Sequence, residues 1–548
     1  MRETIDSATF TNMLLCAAAA LEVNKEHINE LNVFPVPDGD TGTNMSMTMA
    51  AGALELRRKN PQGVGEVAKC AATALLRGAR GNSGVILSLL FRGLSKILKG
   101  KETCDAYDFA LAMTEGVEAA YNAVMKPAEG TILTVSRMAA ASASDFAETG
   151  NDMELLISCA LETAKDALTE TVNQNPVLKK AGVVDAGGKG YVVILEAMLA
   201  SMRGEMTPDA YEIPVSKPAP NSDDEGHTDF ADFDTGAYDF DTVFIVRRTN
   251  DLSLEPLKTY LSSIGDCLVI NADEEIFKVH VHTNIPGDAL TEAQKYGSLD
   301  TAKIENMRLQ HDELVAAAAA APPAPAAPEK DFGTVVVCAG DGIAELFAEL
   351  GADQIVTGGQ TMNPSTEDIL LAIEATPAST VFVFPNNKNI IMAAEQCIPL
   401  SNKKVVVVPT KTIPQGVSSM LNMDTYSQTE DELLEIAAEA ISSVHTALVT
   451  YAARDSDFDG YEIKAGEYLG LLDGALLGSS PEISDLITKL SEALDTLNPE
   501  FITIYYGEDV EAEAAGSVRD LLSDRRPDAE LSVIAGGQPV YYYIISAE

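Results

Sequence analysis

Basic residues are scarce in this chain: 38 Lys and Arg stand against 83 Asp and Glu in 548 residues, a formal charge of −45 at pH 7. Affinity for a phosphodiester backbone or an anionic membrane surface comes from clustered Lys and Arg, so neither nucleic acid nor a membrane surface is expected as a partner. Paired cysteines are missing too. The seven, at positions 16, 70, 104, 159, 267, 338 and 397, show no Cys-x-x-Cys and no paired spacing, and they read as reduced core thiols. No apolar run approaches the roughly 20 residues that a helical bilayer span requires. Leu14 to Leu21 is apolar but short, and neither a basic segment nor an Ala-x-Ala site accompanies it. Together these absences predict a cytoplasmic chain with no transmembrane segment.

Apolar side chains are plentiful, at 46% of the sequence, and the length exceeds what one core serves, so two to four domains are expected. Residues 1–205 read as nearly all helix. Apolar runs at 7–30, 45–58, 64–77, 84–99, 105–124, 131–147, 152–171 and 188–203 recur with a period near 3.6 between Gly, Pro and Asn turns. Residues 206–237 turn Pro-rich and then acidic, which predicts a linker. Residues 238–314 read as a small α/β or α+β domain, with strands at 242–246, 267–271 and 276–282 and helices at 254–263 and 287–296. An Ala/Pro stretch at 315–330 reads as a second linker. From 331 to 548, strands at 334–338, 354–357, 379–384, 404–408 and 447–451 alternate with helical stretches. That alternation predicts an α/β C-terminal domain with a mainly parallel sheet. Linkers without an apolar face predict that this last domain folds by itself.

Four glycine-punctuated segments lie among the helices. In the first, Asn32 to Met45, Asp38 and Asp40 flank Gly39, and Thr43 and Asn44 follow. Mg²⁺ takes hard oxygens and is usually held by one or two carboxylates plus substrate phosphates, so this segment is a candidate Mg-phosphate cradle. A solvated Asp-Gly-Asp turn is the alternative. In the second, Gly78, Arg80, Gly81, Asn82, Ser83 and Gly84 lead into the apolar helix that begins at Val85. Glu129, Gly130 and Thr131 open another helix, and Gly182, Asp185, Gly187 and Gly188 precede the helix from Tyr191. Helix N-termini bind phosphate, although each segment alone reads equally well as a cap or packing turn. The last is not a P-loop, because Gly188 stands where the lysine should follow and no Ser or Thr comes after Lys189.

In order and spacing these four segments resemble the ATP-binding subunit of bacterial dihydroxyacetone kinases. They resemble more closely the catalytic subunit of bacterial fatty acid kinase, with the similarity running the whole chain, including Lys278 to Asn284 and Val408 to Gly416. The resemblance implies an all-α eight-helix barrel kinase domain with nucleotide bound in the loops at one end. It implies ATP and Mg²⁺ as cofactors, with Asp38 and Asp40 on the metal. Where dihydroxyacetone kinase subunits carry a third aspartate a few residues upstream, this chain offers Asn32, offset by one in register, as a candidate neutral oxygen ligand. Thr43, Asn44, Ser83, Gly84, Gly130 and Thr131 match the phosphate and nucleotide contacts, and Asp185 and Gly187 match a segment lying against the nucleotide. Arg80 is the candidate catalytic cation, for the transferring phosphoryl or the acceptor carboxylate, with an ordinary ion pair as its alternative.

His280 and His282 stand two apart on one strand and so face the same way. They are candidates for a catalytic phosphate contact, or for a Zn²⁺ site with Asp239 or Asp241, against a packed structural pair. The resembled family carries a cysteine in the preceding strand that this chain lacks. The C-terminal domain resembles DegV-type fatty-acid-binding proteins, through Gly340 to Gly342 and Gly358 to Thr366. The implied partners are a fatty-acid-binding DegV-type carrier and a second copy in a homodimer. The implied reaction is ATP-dependent phosphorylation of a carrier-presented fatty acid carboxylate, giving acyl phosphate for phospholipid synthesis. A dihydroxyacetone-type (glycerone) kinase and a non-catalytic nucleotide-binding regulatory scaffold are the alternative functions.

Overall fold

The structure, a computed structural model, describes residues 2–32, 39–124, 127–208, 240–250, 252–272, 276–306, 328–359, 362–458, 461–494 and 496–548. The chain forms two compact units: Met1–Ser216 together with Pro325–Glu548, and Lys217–Ala324. The first segment is helical: α1 (Ser7–Asn29), α2 (Thr41–Lys59), α3 (Val64–Arg77), α4 (Gly81–Leu98), α5 (Ala106–Ala123), α6 (Ile132–Ala147), α7 (Met153–Gln174), a short α8 (Pro176–Ala181) and α9 (Ala186–Arg203). Local chemistry sets most of the starts. Asp6, Asp105 and Asp152 accept from backbone amides of the first turns of α1, α5 and α7, each satisfying an otherwise orphaned donor. Gly204, at φ 72°, closes α9. Consecutive long helices pack as neighbours, and α9 returns against α1 and α7. A two-residue strand β1 (Thr4–Ile5) pairs antiparallel with β2 (Cys104–Asp105).

The second unit has its own core of Phe244, Val246, Leu257, Leu261, Phe277, Val279, Val281, Ala289, Ala293 and Tyr296. Strands β3 (Phe240–Arg248), β4 (Gly265–Ala272), β5 (Ile276–Thr283) and β6 (Gly297–Asn306) lie in the order β4-β5-β3-β6. All three pairings are antiparallel. Of the two arrangements expected, the unit is therefore α+β and not the βαβ arrangement of an α/β fold. Only three residues join β4 to β5, too few for the crossover that parallel strands need.

The C-terminal segment holds the expected parallel sheet and, beside it, a second sheet of a different kind. β7 (Lys330–Cys338), β8 (Gln354–Thr357), β9 (Ala378–Phe384) and β10 (Lys404–Val407) form a parallel sheet in the order β10-β9-β7-β8. The strand at 447–451 does not continue it. β11 (His445–Tyr451) belongs to a six-stranded sheet ordered β15-β14-β11-β18-β16-β17, with β14 (Tyr468–Leu472), β15 (Ala475–Ser480), β16 (Phe501–Tyr506), β17 (Glu530–Ala535) and β18 (Tyr543–Ala547). There only β16 and β17 run parallel. The hairpin β14–β15 turns at Asp473 and Gly474, both at positive φ, the mark of a tight primed turn. β12 (Ser456–Phe458) and β13 (Tyr461–Ile463) form a separate hairpin.

A continuous apolar core joins the helical segment to the parallel sheet. Ile369, Ile373, Ile390, Ala393, Ala394 and Cys397 are buried in the same cluster as Leu75, Leu87 and Leu89. Helix Thr366–Ala375 packs on α3, and helix Ile391–Gln396 packs on α4. Separating residues 331–548 would expose this face. Among the described residues no helix is long and apolar enough to cross a membrane. Cys16, Cys70, Cys104, Cys159, Cys338 and Cys397 are free thiols, with Cys16, Cys104, Cys338 and Cys397 buried.

Candidate active site

Loops at the ends of α1, α3, α5 and α8, with the helix starts that follow them, enclose a cavity of about 290 Å³, near the lower bound for small-ligand sites. Asn32, Thr41, Asn82, Ser83, Thr131, Asp185 and Gly187 supply its polar and glycine surface, and Ile86, Leu133 and Leu178 its apolar surface. Met392, from the C-terminal segment, closes one side. Five residues singled out from sequence thus line one space: Asn32, Ser83, Thr131, Asp185 and Gly187.

Asp185 is the N-cap of α9. Its Oδ2 accepts from Gly188 N at 2.7 Å, and its own amide donates to Thr171 Oγ1 at 3.1 Å. Burial pushes its carboxyl up to about 6, against the opposing pull of amide hydrogen bonds from Gly188 and Ile132. Thr131 caps α6, accepting from Leu133 N at 3.3 Å and donating to Ala128 O at 2.8 Å. Asn82 Oδ1 is buried with no hydrogen-bond partner. An unsatisfied buried acceptor on the wall of a cavity is what a ligand donor or cation would complete.

Other predicted residues of the helical segment lie in the same loops and helix starts. Asp40, the residue before α2, is 9% exposed. Asn29, which the sequence reading passed over, organises the helix start: its Oδ1 accepts from Gly42 N at 2.8 Å and Thr43 N at 3.2 Å, and its Nδ2 donates to Thr43 Oγ1 at 3.0 Å. Thr43 is therefore engaged within the protein. Asn32 Oδ1 accepts from Thr41 Oγ1 at 2.9 Å. Gly84 faces Thr48 where α2 and α4 approach closely, and Gly130, at φ 73°, donates its amide to Thr134 Oγ1 at 2.8 Å. Neither glycine lies on the cavity wall: Gly84 sits at a close helix approach and Gly130 in a turn. Asp38 lies outside the described residues.

Arg80 has a partner that no local sequence signal indicated. Its Nη1 donates to Asn363 O at 2.6 Å, and its Nη2 lies 3.5 Å from Asp368 Oδ2. Burial holds the guanidinium pKa below its usual value, with Asp368 opposing the shift. The ion pair given as its alternative is present, and it spans the junction with the C-terminal segment. Alongside it, Thr366 N donates to Ala79 O at 3.1 Å, and Asn363 Nδ2 donates to Asp40 Oδ2. The stretch Gly358 to Thr366, without residues 360 and 361, which lie outside the described ones, thus abuts the helical segment at its glycine loop.

His280 and His282 occupy β5, with Val243 and Asp241 opposite them on β3 and Val269 and Asp266 on β4. The side chains of both histidines and of Asp241, and all of Asp239, lie outside the described residues. Among the described residues no group of three or more His, Cys, Asp or Glu converges as a metal site, so the Zn²⁺ expectation gains no support.

Known protein families match the chain in three stretches. Residues 35–200 match the DAK2 domain, residues 237–314 the FakA-like middle domain of fatty acid kinase, and residues 333–548 the FakA-like C-terminal domain. Protein YloV of Bacillus subtilis is 41% identical over 555 residues, covering 100% of this chain and 99% of that protein. Among solved structures, the DegV family protein Cg2579 from Corynebacterium glutamicum matches 39% of this chain and 95% of its own, at 14% identity and a TM-score of 0.32. The dihydroxyacetone kinase from C. freundii in complex with AMP-PNP and Mg²⁺ matches 35% of this chain and 34% of its own, at 20% identity and a TM-score of 0.28. Matched along its whole length by a relative at this identity, the chain is a member of the FakA-like fatty acid kinase family.

Proposed function

We propose that this chain is the catalytic subunit of a cytoplasmic fatty acid kinase. It would transfer the γ-phosphoryl group of ATP to a fatty acid carboxylate presented by a separate DegV-type binding protein, giving acyl phosphate for phospholipid synthesis. The observation that carries this reading is the convergence of Asn82, Ser83, Thr131, Asp185 and Gly187, from separate loops, on one cavity whose wall includes Thr41, next to Asp40. A barrel of eight long helices, with these loops at one end, is the arrangement we take to present the nucleotide.

In the reaction the bond from the γ-phosphorus to its bridging oxygen breaks, and a bond to a carboxylate oxygen forms, leaving ADP. Such transfer is achieved mainly by positioning and charge stabilisation. The donor set fits Mg²⁺, because Asp40 offers a buried carboxylate and Asn82 and Asn363 offer buried amide oxygens without partners. Asp38 and Asp40, with Asn32, would hold the ion, which when bound neutralises phosphate charge. Ser83, Thr131 and the amides at the start of α4 would orient the phosphates. Arg80 is proposed as the cation beside the transferring group, and His280 and His282 as participants in phosphotransfer from the middle unit. The C-terminal segment would dock the carrier, and two copies would pair as a homodimer.

The test is ATP consumption by the purified chain with oleate, with and without a DegV-type fatty-acid-binding protein. Turnover that needs both supports the reading. Turnover with dihydroxyacetone in their place, or nucleotide binding without turnover under any of these conditions, overturns it.

A further inference from the structure

We infer that Asn363, carried on the C-terminal segment, is a residue of the kinase cation site. This rests on the reading of Asp40 as a cation-holding carboxylate. Asn363 is fully buried, and its Nδ2 donates to Asp40 Oδ2. Its Oδ1 is buried with no partner. An amide that satisfies one end and strands the other is out of balance, since a buried acceptor left unmade is costly. Rotating the amide by half a turn exchanges the two atoms. Beside an empty carboxylate the NH₂ end is the better neighbour; beside a carboxylate holding a divalent cation the oxygen is, as a hard neutral ligand of the kind Mg²⁺ accepts.

The surroundings converge on the same spot. A Cβ built on Gly81 would lie 2.5 Å from Asn44 Nδ2 and 3.3 Å from Asn363 Nδ2, so both amides face the gap that this glycine leaves. Arg80 fixes the loop by binding the Asn363 carbonyl at 2.6 Å, and Thr366 N holds Ala79 O at 3.1 Å. The contact is not a removable cover. Ile369, Ile373 and Ile390 share one buried core with α3 and α4, and a large apolar junction of this kind keeps its two sides together. Asn363 is thus present whenever the site is loaded, and the C-terminal segment completes a site that the helical segment only begins.

The experiment uses the full chain as wild type, D40N, N363A, N363L and N363D, with Mn²⁺ as the probe, titrated by the loss of its free electron-paramagnetic-resonance signal. The binding lost in D40N defines the site. N363A and N363L should weaken that fraction about tenfold, as for other residues that support a metal site, and should melt below wild type without cation, because the buried Asp40 carboxylate loses its amide donor. N363D should melt lower than wild type without cation, because two carboxylates then face each other, and Mg²⁺ should restore it. If D40N binds Mn²⁺ like wild type, the reading of Asp40 fails and this inference with it. If D40N is weakened but N363A and N363L match or exceed wild type, only the inference fails, and the amide is then a competitor of the cation.

Discussion

Replacing Asp185 by Asn should stabilise the protein, and by more as the pH rises. The native carboxyl titrates near 6, against 3.8 for the ordinary group, because enclosure in the cavity wall outweighs the amides of Gly188 and Ile132. A native value above the unfolded one means that the folded chain binds the extra proton between them. Stability therefore falls as pH climbs through that window, and the full penalty stands above it. At about 1.36 kcal/mol per pH unit, the gap amounts to a cost on the order of 3 kcal/mol near pH 8 and roughly 2 kcal/mol near pH 5.2. Both are ceilings, since the side chain keeps some contact with solvent through the cavity mouth. Asparagine retains an oxygen that can accept from Gly188 N, so the cap survives the change. The assay compares urea midpoints of the first unfolding transition for wild type and D185N over this range. It stays above the sequence pI of about 4.3, where vanishing net charge favours precipitation. A difference that does not widen with pH, or a less stable D185N near pH 8, refutes the argument.

Asp40→Ala should reduce ATP turnover by orders of magnitude. Because it strips the Asn363 amide of its acceptor, it should also cost about 1–3 kcal/mol of stability; turnover assays and thermal melts check both, and retained turnover dismisses the site. Gly42→Ala drives a methyl into the Lys25 carbonyl where α1 and α2 cross, so overpacking should cost about 1–3 kcal/mol, and an unchanged melt would contradict that close approach. His280→Asn or His282→Asn should lower phosphotransfer and leave ATP affinity unchanged, since β5 belongs to the other compact unit; calorimetric titration of ATP and single-turnover transfer separate the two, and normal transfer in both variants makes the pair structural.

Much of the helical segment was legible because its signals are local. Apolar period between Gly, Pro and Asn turns placed the helix starts to within a few residues, where the structure shows caps such as Asp105 and Asp152. Strand β6 escaped because Gly297 to Asn306 is largely polar, with no alternation to mark a buried face. The hairpin at 468–480 did carry a sign, Asp473 followed by Gly474, and its significance was passed over. Parallel and antiparallel strands share the same apolar composition, so the division of the C-terminal segment into two sheets was not readable from strand positions. The site divides in the same way. Ser83, Thr131, Asp185 and Gly187 announced themselves through helix starts, whereas Asn363 stands 323 residues from the carboxylate that it touches, and nothing near it in sequence indicates that neighbour. Asn29 hid for a different reason, as a polar residue at a helix end that looks like any other.

The shared core between the helical segment and the parallel sheet sets a schedule for synthesis. Ala79 and Thr366, bonded across the junction, are 287 residues apart. At roughly 5–20 residues per second, a ribosome takes about 15 to 60 s to travel between them. For that interval α3 and α4 are complete but uncovered, presenting to the cell the apolar face that helices Thr366–Ala375 and Ile391–Gln396 later bury. The nascent chain therefore passes through a stage in which its first two hundred residues are sticky on one side, and the yield of folded protein depends on what holds them apart from each other until the rest of the chain arrives.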